Sequence, residues 1–117
     1  MITLSECYEK MEGNYLDVKT RLRSDRLIDK FLKKFLDDPS FSQFMQAIDE
    51  KNAKDAFMAL HTLKGICQNL GMGALYESAN ELCELFRLGW SDEGASKSTT
   101  LGVVYEQTIN AIKEHFL

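Results

Sequence analysis

The sequence predicts an all-α fold: an antiparallel four-helix bundle with short helices appended at the N-terminus. Three observations indicate this fold. Apolar residues recur every three or four positions along nearly the whole chain, no stretch alternates as a strand does, and seven glycines and one proline are too few for a loop-rich protein. Long amphipathic helices joined by short turns pack as antiparallel neighbours. A chain of 117 residues supplies one core, so we expect a single domain over residues 1–117.

Residues 1–23 are predicted to form two short helices ahead of the bundle. Thr3 and Glu6 have the spacing of a capping box, in which each side chain bonds to the other residue's backbone N–H. The pair Gly13-Asn14 breaks the first helix, and residues 15–22 form the second.

Residues 24–117 are predicted to form the bundle, and its first two helices follow directly. Ser24 is a candidate N-cap for a helix with an apolar stripe on one face and lysines opposite. Asp38-Pro39 ends that helix, and Pro39 is predicted at the first position of the next, where proline is tolerated. The apolar residues of these two helices are Leu27, Ile28, Phe31, Leu32, Phe35, Phe41, Phe44, Met45 and Ile48.

The predicted long central helix covers residues 53–70. Asn52 caps it, and its apolar residues step by four, three, four and three, which makes a continuous seam. Gly71-Met72-Gly73 then turns the chain into a second helix with the same pattern. The polar stretch 89–100, rich in Ser, Thr and Gly, is predicted to be a loop, and the last helix to cover 101–116. The seam of the central helix consists of Ala56, Leu60, Leu63, Cys67 and Leu70.

Charge and composition exclude several classes of function. The net charge is −4 with both signs mixed along the chain, so we expect no nucleic-acid partner, which would select a concentrated basic face. No apolar run reaches membrane-spanning length, and we therefore expect a cytoplasmic monomer without membrane attachment. The three cysteines lack C-x-x-C spacing, which indicates neither a disulfide framework nor a zinc site.

The central helix also carries a polar face around His61. At about 100° per residue, His61 lies about 160° from Leu63 in the middle of the seam, so its ring is predicted to face solvent. Lys64, Gly65 and Gln68 follow at i+3, i+4 and i+7 and share that side. Imidazole changes charge between pH 5 and 8, so an exposed ring is partly neutral and nucleophilic in the cell. A lysine beside the ring suits a dianionic group bound to it.

Gly65 is the unusual residue of this face. Glycine inside a helix costs about 1 kcal/mol relative to alanine, and the seam continues on both sides, so Gly65 does not mark a helix end. Its missing side chain leaves the ring clear and would let another protein's backbone approach. His115, in contrast, is interpreted as a solvated residue that is favoured by the C-terminal end of its helix. The sequence has no Gly-rich loop that would indicate nucleotide binding. It also has no carboxylate pair beside a histidine, which would indicate hydrolysis or metal binding.

These residues match a known pattern. The run ALHTLKG at 59–65, followed by NLG at 69–71, resembles the signature of histidine phosphotransfer (HPt) domains. The run FLDDPSF at 35–41 is similar to the segment that precedes the histidine-bearing helix in that family. The similarity extends from residue 24 to residue 87. It implies that His61 is phosphorylated by aspartates of receiver domains, and returns the group to them, in two-component phosphorelays, normally through the Nε2 atom.

The resemblance also implies roles for the neighbouring residues. Lys64 would offset the phosphoryl charge and Gly65 would permit receiver docking. Met58, Thr62 and Gln68, with residues of the short N-terminal helices, would form the surface that contacts the partner. The chain would be a phosphoryl carrier rather than an enzyme, with no cofactor or metal of its own. The magnesium ion would belong to the response-regulator receiver domain, and a hybrid histidine kinase is a second expected partner.

The chain departs from the family pattern at the position that supports the histidine ring and at Ile66 and Cys67, which replace small residues common after the glycine, and two alternative functions stay open. Many members use a polar residue of the following helix to steady the histidine ring. Cys83 is the equivalent here, so this support is absent or comes from Asn80 or Glu84. A histidine-kinase dimerisation module usually has an acidic residue after its histidine and a proline nearby, whereas Thr62 follows here. A non-catalytic helical adaptor would leave the lysine and Gly65 unexplained.

Overall fold

The computed structural model describes residues 1–117. It contains seven α-helices and no strand, so the predicted all-α class is confirmed. The helices are α1 (Leu4–Lys10), α2 (Tyr15–Leu22), α3 (Asp25–Phe35), α4 (Ser40–Asp49), α5 (Ala53–Leu70), α6 (Gly73–Leu85) and α7 (Asp92–His115). Helices α4 to α7 form the bundle, in which α5 packs on α4 and α6, and α7 packs on α6 and α4. Phe41 of α4 stacks on Tyr105 of α7 at 4.1 Å between ring centroids, which closes the bundle. None of the helices is long and apolar enough to cross a bilayer.

The predicted helix starts agree closely with the structure, because each cap is a local bond. The capping box forms in both directions, with Glu6 N donating to Thr3 Oγ1 at 3.1 Å and Thr3 N to Glu6 Oε1 at 3.0 Å. Asn14, Ser24 and Asn52 each accept a bond from the backbone three residues on. Pro39 differs by one position: it is the N-cap of α4 rather than its first residue, and the Asp38 carboxylate caps Ser40 N at 3.0 Å.

The prediction of a loop at residues 89–100 is wrong from residue 92 onward, because α7 begins there. Ser91 caps α7 by accepting from Gly94 N at 2.9 Å, and two acidic residues follow in the first turn, where the helix dipole favours them. Gly94 is buried against Phe86, so close that a Cβ would lie 2.6 Å from the ring. Ser98 is also buried and bonds to the carbonyl of Ala95. Tertiary packing of this turn therefore outweighs its low helix propensity.

A core of 25 buried residues takes side chains from all seven helices. Every member of the predicted α5 seam belongs to it, and Leu60 and Leu63 are fully buried. With its apolar face enclosed by its neighbours, α5 cannot rotate without exposing that seam. Its opposite face, which carries His61, is therefore fixed outward.

The turn between α1 and α2 interlocks with the turn between α5 and α6. Asn14 N donates to Gly71 O at 2.8 Å, and Ala74 N donates to Glu12 O at 3.2 Å. Gly71 adopts φ +67°, a left-handed conformation that favours glycine, and a Cβ on Gly13 would lie 2.5 Å from the Gly71 oxygen. The two backbones can approach this closely only because both turns contain glycine.

The C-terminal end of α5 is also bonded to the first two helices. Tyr8 donates its hydroxyl to Leu70 O at 2.6 Å, and Arg21 Nη2 donates to Gln68 O and Asn69 O at 2.7 and 2.9 Å. These bonds satisfy carbonyls that the end of a helix leaves free. The short N-terminal helices thus pack against the C-terminal end of α5, and their contribution to the surface around His61 stays a prediction.

His115 is not the solvated residue that was predicted. Its side chain is only 13% exposed, with Nδ1 2.7 Å from Ile2 O and Nε2 2.9 Å from Asp29 Oδ1. The ring ties the start of the chain and α3 to the end of α7. The prediction failed because both partners come from distant parts of the sequence.

The three cysteines are free and buried, and we expect them to be unreactive in the folded protein. Burial raises the pKa of the Cys7 thiol to about 11 and that of Cys67 to about 12, and it also raises the pKa of Cys83. At pH 8 almost no thiolate is present to react. Iodoacetamide at that pH should add nothing to the native protein and three groups after denaturation, as measured by mass spectrometry. An adduct on native protein would contradict this expectation.

Candidate functional site

His61 lies exposed in the middle of α5, as predicted. The helix is capped at both ends: Asn52 accepts from Asp55 N at 3.0 Å, and Gly71 ends the helix in the left-handed conformation. Leu60 and Leu63 on the opposite face are fully buried. The helix is therefore a rigid support, and the imidazole has no hydrogen-bond partner within the protein.

Gly65 opens a space one turn beyond the histidine. A Cβ placed on it would meet no atom within 4 Å outside its own helix, and the residue is exposed. No neighbouring helix approaches the backbone here, so the glycine is not needed for packing inside the bundle. It leaves a clear surface beside the imidazole.

Because Gly65 has no packing role, we expect Gly65→Ala to stabilise the protein. The gain should be about 0.5–1 kcal/mol in the free energy of unfolding, since alanine loses less conformational entropy in a helix. Urea denaturation followed by circular dichroism would measure it. A loss of stability would mean that another group occupies this space.

Lys64 is half-buried and directed toward α6. Its Nζ donates to Asn80 Oδ1 at 3.1 Å, which holds the ammonium group on one side of the histidine. Asn80 thus orients the lysine and makes no bond to the His61 ring.

The other two candidates for ring support are also bonded elsewhere. Glu84 receives two hydrogen bonds from the Arg87 guanidinium, at 2.6 and 2.9 Å, and this contact lowers the pKa of its carboxyl. Cys83 is buried, with Sγ 3.9 Å from the carbonyl of Phe57. No polar side chain of α6 therefore steadies the histidine by a hydrogen bond.

Phe57 contacts the His61 ring instead. The two ring centroids are 5.9 Å apart and the planes differ by 19°, and the Arg87 Cζ lies 5.5 Å from the Phe57 centroid. The sequence reasoning missed Phe57, although its i−4 position relative to His61 places it on the same side of the helix. Arg87 gave no such signal, because it reaches the site from the turn that follows α6.

The predicted partner-binding residues divide between two places. Met58 and Thr62 are exposed and line a groove of about 390 Å³ between α4 and α5, with Gln43, Gln46 and Glu50 along its other wall. Met58 is 56% exposed and is the only one of the six exposed large apolar side chains that lies on α5. Gln68 is exposed too, but it lies nearer the C-terminal end of α5. The groove borders the side of His61 opposite Lys64.

The chain contains no group of three or more His, Cys, Asp or Glu side chains placed to hold a metal ion. Comparison with known families gives one match: the family model described as Hpt domain covers residues 26–114. That range contains the whole of α4 to α6 and nearly all of α3 and α7. No curated protein and no solved structure matches the chain.

Proposed function

The chain belongs to the Hpt domain family, whose members transfer phosphoryl groups on histidine in phosphorelays, and from this premise we propose that His61 is the residue that carries the group. Its donor and acceptor are the aspartates of receiver domains. The chain is then a phosphoryl carrier that has no kinase site of its own.

One observation supports this proposal most strongly: an exposed imidazole without a hydrogen bond stands beside the open surface at Gly65. A folded receiver domain has to bring its aspartyl phosphate up to the ring, so the histidine must project and its surroundings must stay clear. The other histidine does not meet this requirement, because both nitrogens of His115 are engaged.

The transfer step needs little from this chain beyond placement. A lone pair on the neutral His61 ring attacks the phosphorus, a P–N bond forms, and the P–O bond to aspartate breaks with its electrons going to the carboxylate. The ring keeps its other N–H and becomes a phosphoimidazolium. The magnesium ion that offsets the phosphate charge comes with the receiver. Lys64, held by Asn80, adds a positive charge on this side.

The partner surface consists of the groove between α4 and α5 together with the open face of α5. Met58 supplies exposed apolar area and Thr62 a hydroxyl, while Gln68 extends the contact toward the end of the helix. A response regulator and a hybrid histidine kinase, met in the cytoplasm, are the partners we propose. Residues 1–23 lie outside the family match but pack against the end of α5, so we treat them as part of the same domain.

The alternatives are less well supported. A histidine-kinase dimerisation module leaves the apolar faces of its helix pair for a second copy, whereas Leu60 and Leu63 are already buried within one chain. A purely structural adaptor has no use for a glycine that neither packs nor turns.

The test uses two phosphoryl donors. Purified receiver domains, phosphorylated with radiolabelled acetyl phosphate in the presence of magnesium, are mixed with the protein, and radiolabelled phosphoramidate is used separately as a small donor. We expect label on this chain from both, lost in acid and stable in alkali, as for phosphohistidine. Label from neither donor would leave the adaptor as the function. Label that is lost in alkali would point to a residue other than histidine.

A further inference from the structure

The imidazole of His61 has no hydrogen bond to hold it, and yet transfer requires a defined ring direction. We propose that Phe57 positions this ring and that Arg87, fixed by Glu84, positions Phe57. This inference rests on the proposed function, since it concerns how the same histidine is aimed. An aromatic contact then holds the imidazole in one orientation, which no hydrogen bond from Asn80, Cys83 or Glu84 does.

The geometry of the two rings supports the first part. Phe57 lies one turn before His61 on α5, and the rings are nearly parallel, at 19° and 5.9 Å between centroids. This separation is within the range of offset aromatic stacking. Phe57 is itself half-buried and packed against the core, so its ring has a fixed place. It lies beside the imidazole in an offset arrangement, and neither ring nitrogen of His61 is hydrogen-bonded within the protein.

The second part rests on contacts from the neighbouring helix. The guanidinium of Arg87 forms two bonds to Glu84 through Nε and Nη2, which set its plane. Its Cζ lies 5.5 Å from the centre of the Phe57 ring, close enough for a cation–π contact. The Phe57 side chain is therefore in contact both with a cation from the turn after α6 and with the histidine.

The chemical consequence follows from the shape of imidazole. The nitrogen lone pair lies in the ring plane, so fixing that plane fixes the line along which the nitrogen meets phosphorus. A reacting group held in one orientation avoids an entropic loss when the partner arrives. Without Phe57 the ring could turn about its side-chain bonds and would point correctly for a smaller part of the time.

The test compares Phe57→Leu with Phe57→Tyr and with the matched control Phe31→Leu. Phe31 is also half-buried on the core and has a lysine near its ring, but it lies on α3 and does not touch His61. The rate of labelling by phosphoramidate should fall about twofold to tenfold in Phe57→Leu, within the energy of one aromatic pair. Phe57→Tyr and Phe31→Leu should keep the wild-type rate. Arg87→Gln should lower the labelling rate less than Phe57→Leu does. Arg87→Lys, which keeps the positive charge, should lower the rate less than Arg87→Gln does.

Proton NMR gives a readout that a purely structural role would not move. The three-bond couplings between the His61 Hα and Hβ protons should show one side-chain rotamer in the wild-type protein and in Phe31→Leu, and rotamer averaging in Phe57→Leu only, while His115 serves as the internal reference. Equal rates and equal His61 couplings in Phe57→Leu and Phe31→Leu would overturn the inference. If the wild-type protein accepts no label, the proposed function fails, and the couplings alone decide whether Phe57 positions the ring.

Discussion

Replacing His61 with glutamine is expected to abolish phosphoryl transfer to this protein. The label accepted from a phosphorylated receiver should fall at least about a thousandfold, to background, because no other group in the chain can take over as the attacking nucleophile. Glutamine is polar and favours helices, and position 61 is exposed, so the fold should be retained. Gel autoradiography with matched circular dichroism spectra would measure both properties.

The control for this experiment is the other histidine. His115→Gln removes a ring that bonds to Ile2 and Asp29, so it should lower stability while leaving His61 free to accept the group. Wild-type labelling of His61→Gln would contradict the assignment of His61. Loss of label in folded His115→Gln alone would move the acceptor to position 115.

The second large effect is expected for Gly65→Gln. Its side chain would occupy the open space beside the imidazole and keep the receiver's backbone at a distance. Displacement of the reacting atoms by about 1 Å can cost about a hundredfold in rate, so transfer from the receiver should fall at least that far. Phosphoramidate is small and should still label His61 at close to the wild-type rate. The free energy of unfolding should rise, since glutamine is the better helix former.

Two comparisons make this expectation decisive. Gly65→Ala adds a single methyl group and should weaken receiver-dependent transfer much less than glutamine does. An equal loss with both donors would mean that the new side chain hinders the ring itself rather than docking. Full transfer in Gly65→Gln would contradict the idea that clearance at this position matters.

The sequence could predict most of the site because most of it lies on one helix. Once the buried seam of α5 is known, the helical period predicts which residues lie on the opposite side of the helix: His61, Lys64, Gly65 and Gln68. The residues that connect this face to α6 could not be predicted in the same way. Asn80 bonds to the lysine and Arg87 contacts Phe57 only because α5 and α6 pack at one particular register.

Two errors in the fold have the same origin. Residues 92–100 have the composition of a loop, and they become helical because Gly94 packs on Phe86 from the preceding helix. His115 has the pattern of a surface residue, but it bonds to Ile2 and Asp29. Ile2 and Asp29 are distant from position 115 in the sequence, and the contact of Gly94 with Phe86 depends on how α7 packs against the end of α6, so local composition carries no information about either.

Local sequence accounts for the helical period, the caps, the buried seam of α5 and hence the outward direction of His61. These features depend on bonds and side-chain directions within a few residues of each other, which the order of residues sets. The surroundings of that histidine depend instead on how the helices pack: the empty space at Gly65, the lysine held by Asn80 and the ring of Phe57 beneath Arg87. These depend on the distance and register between packed helices, which many side chains set together.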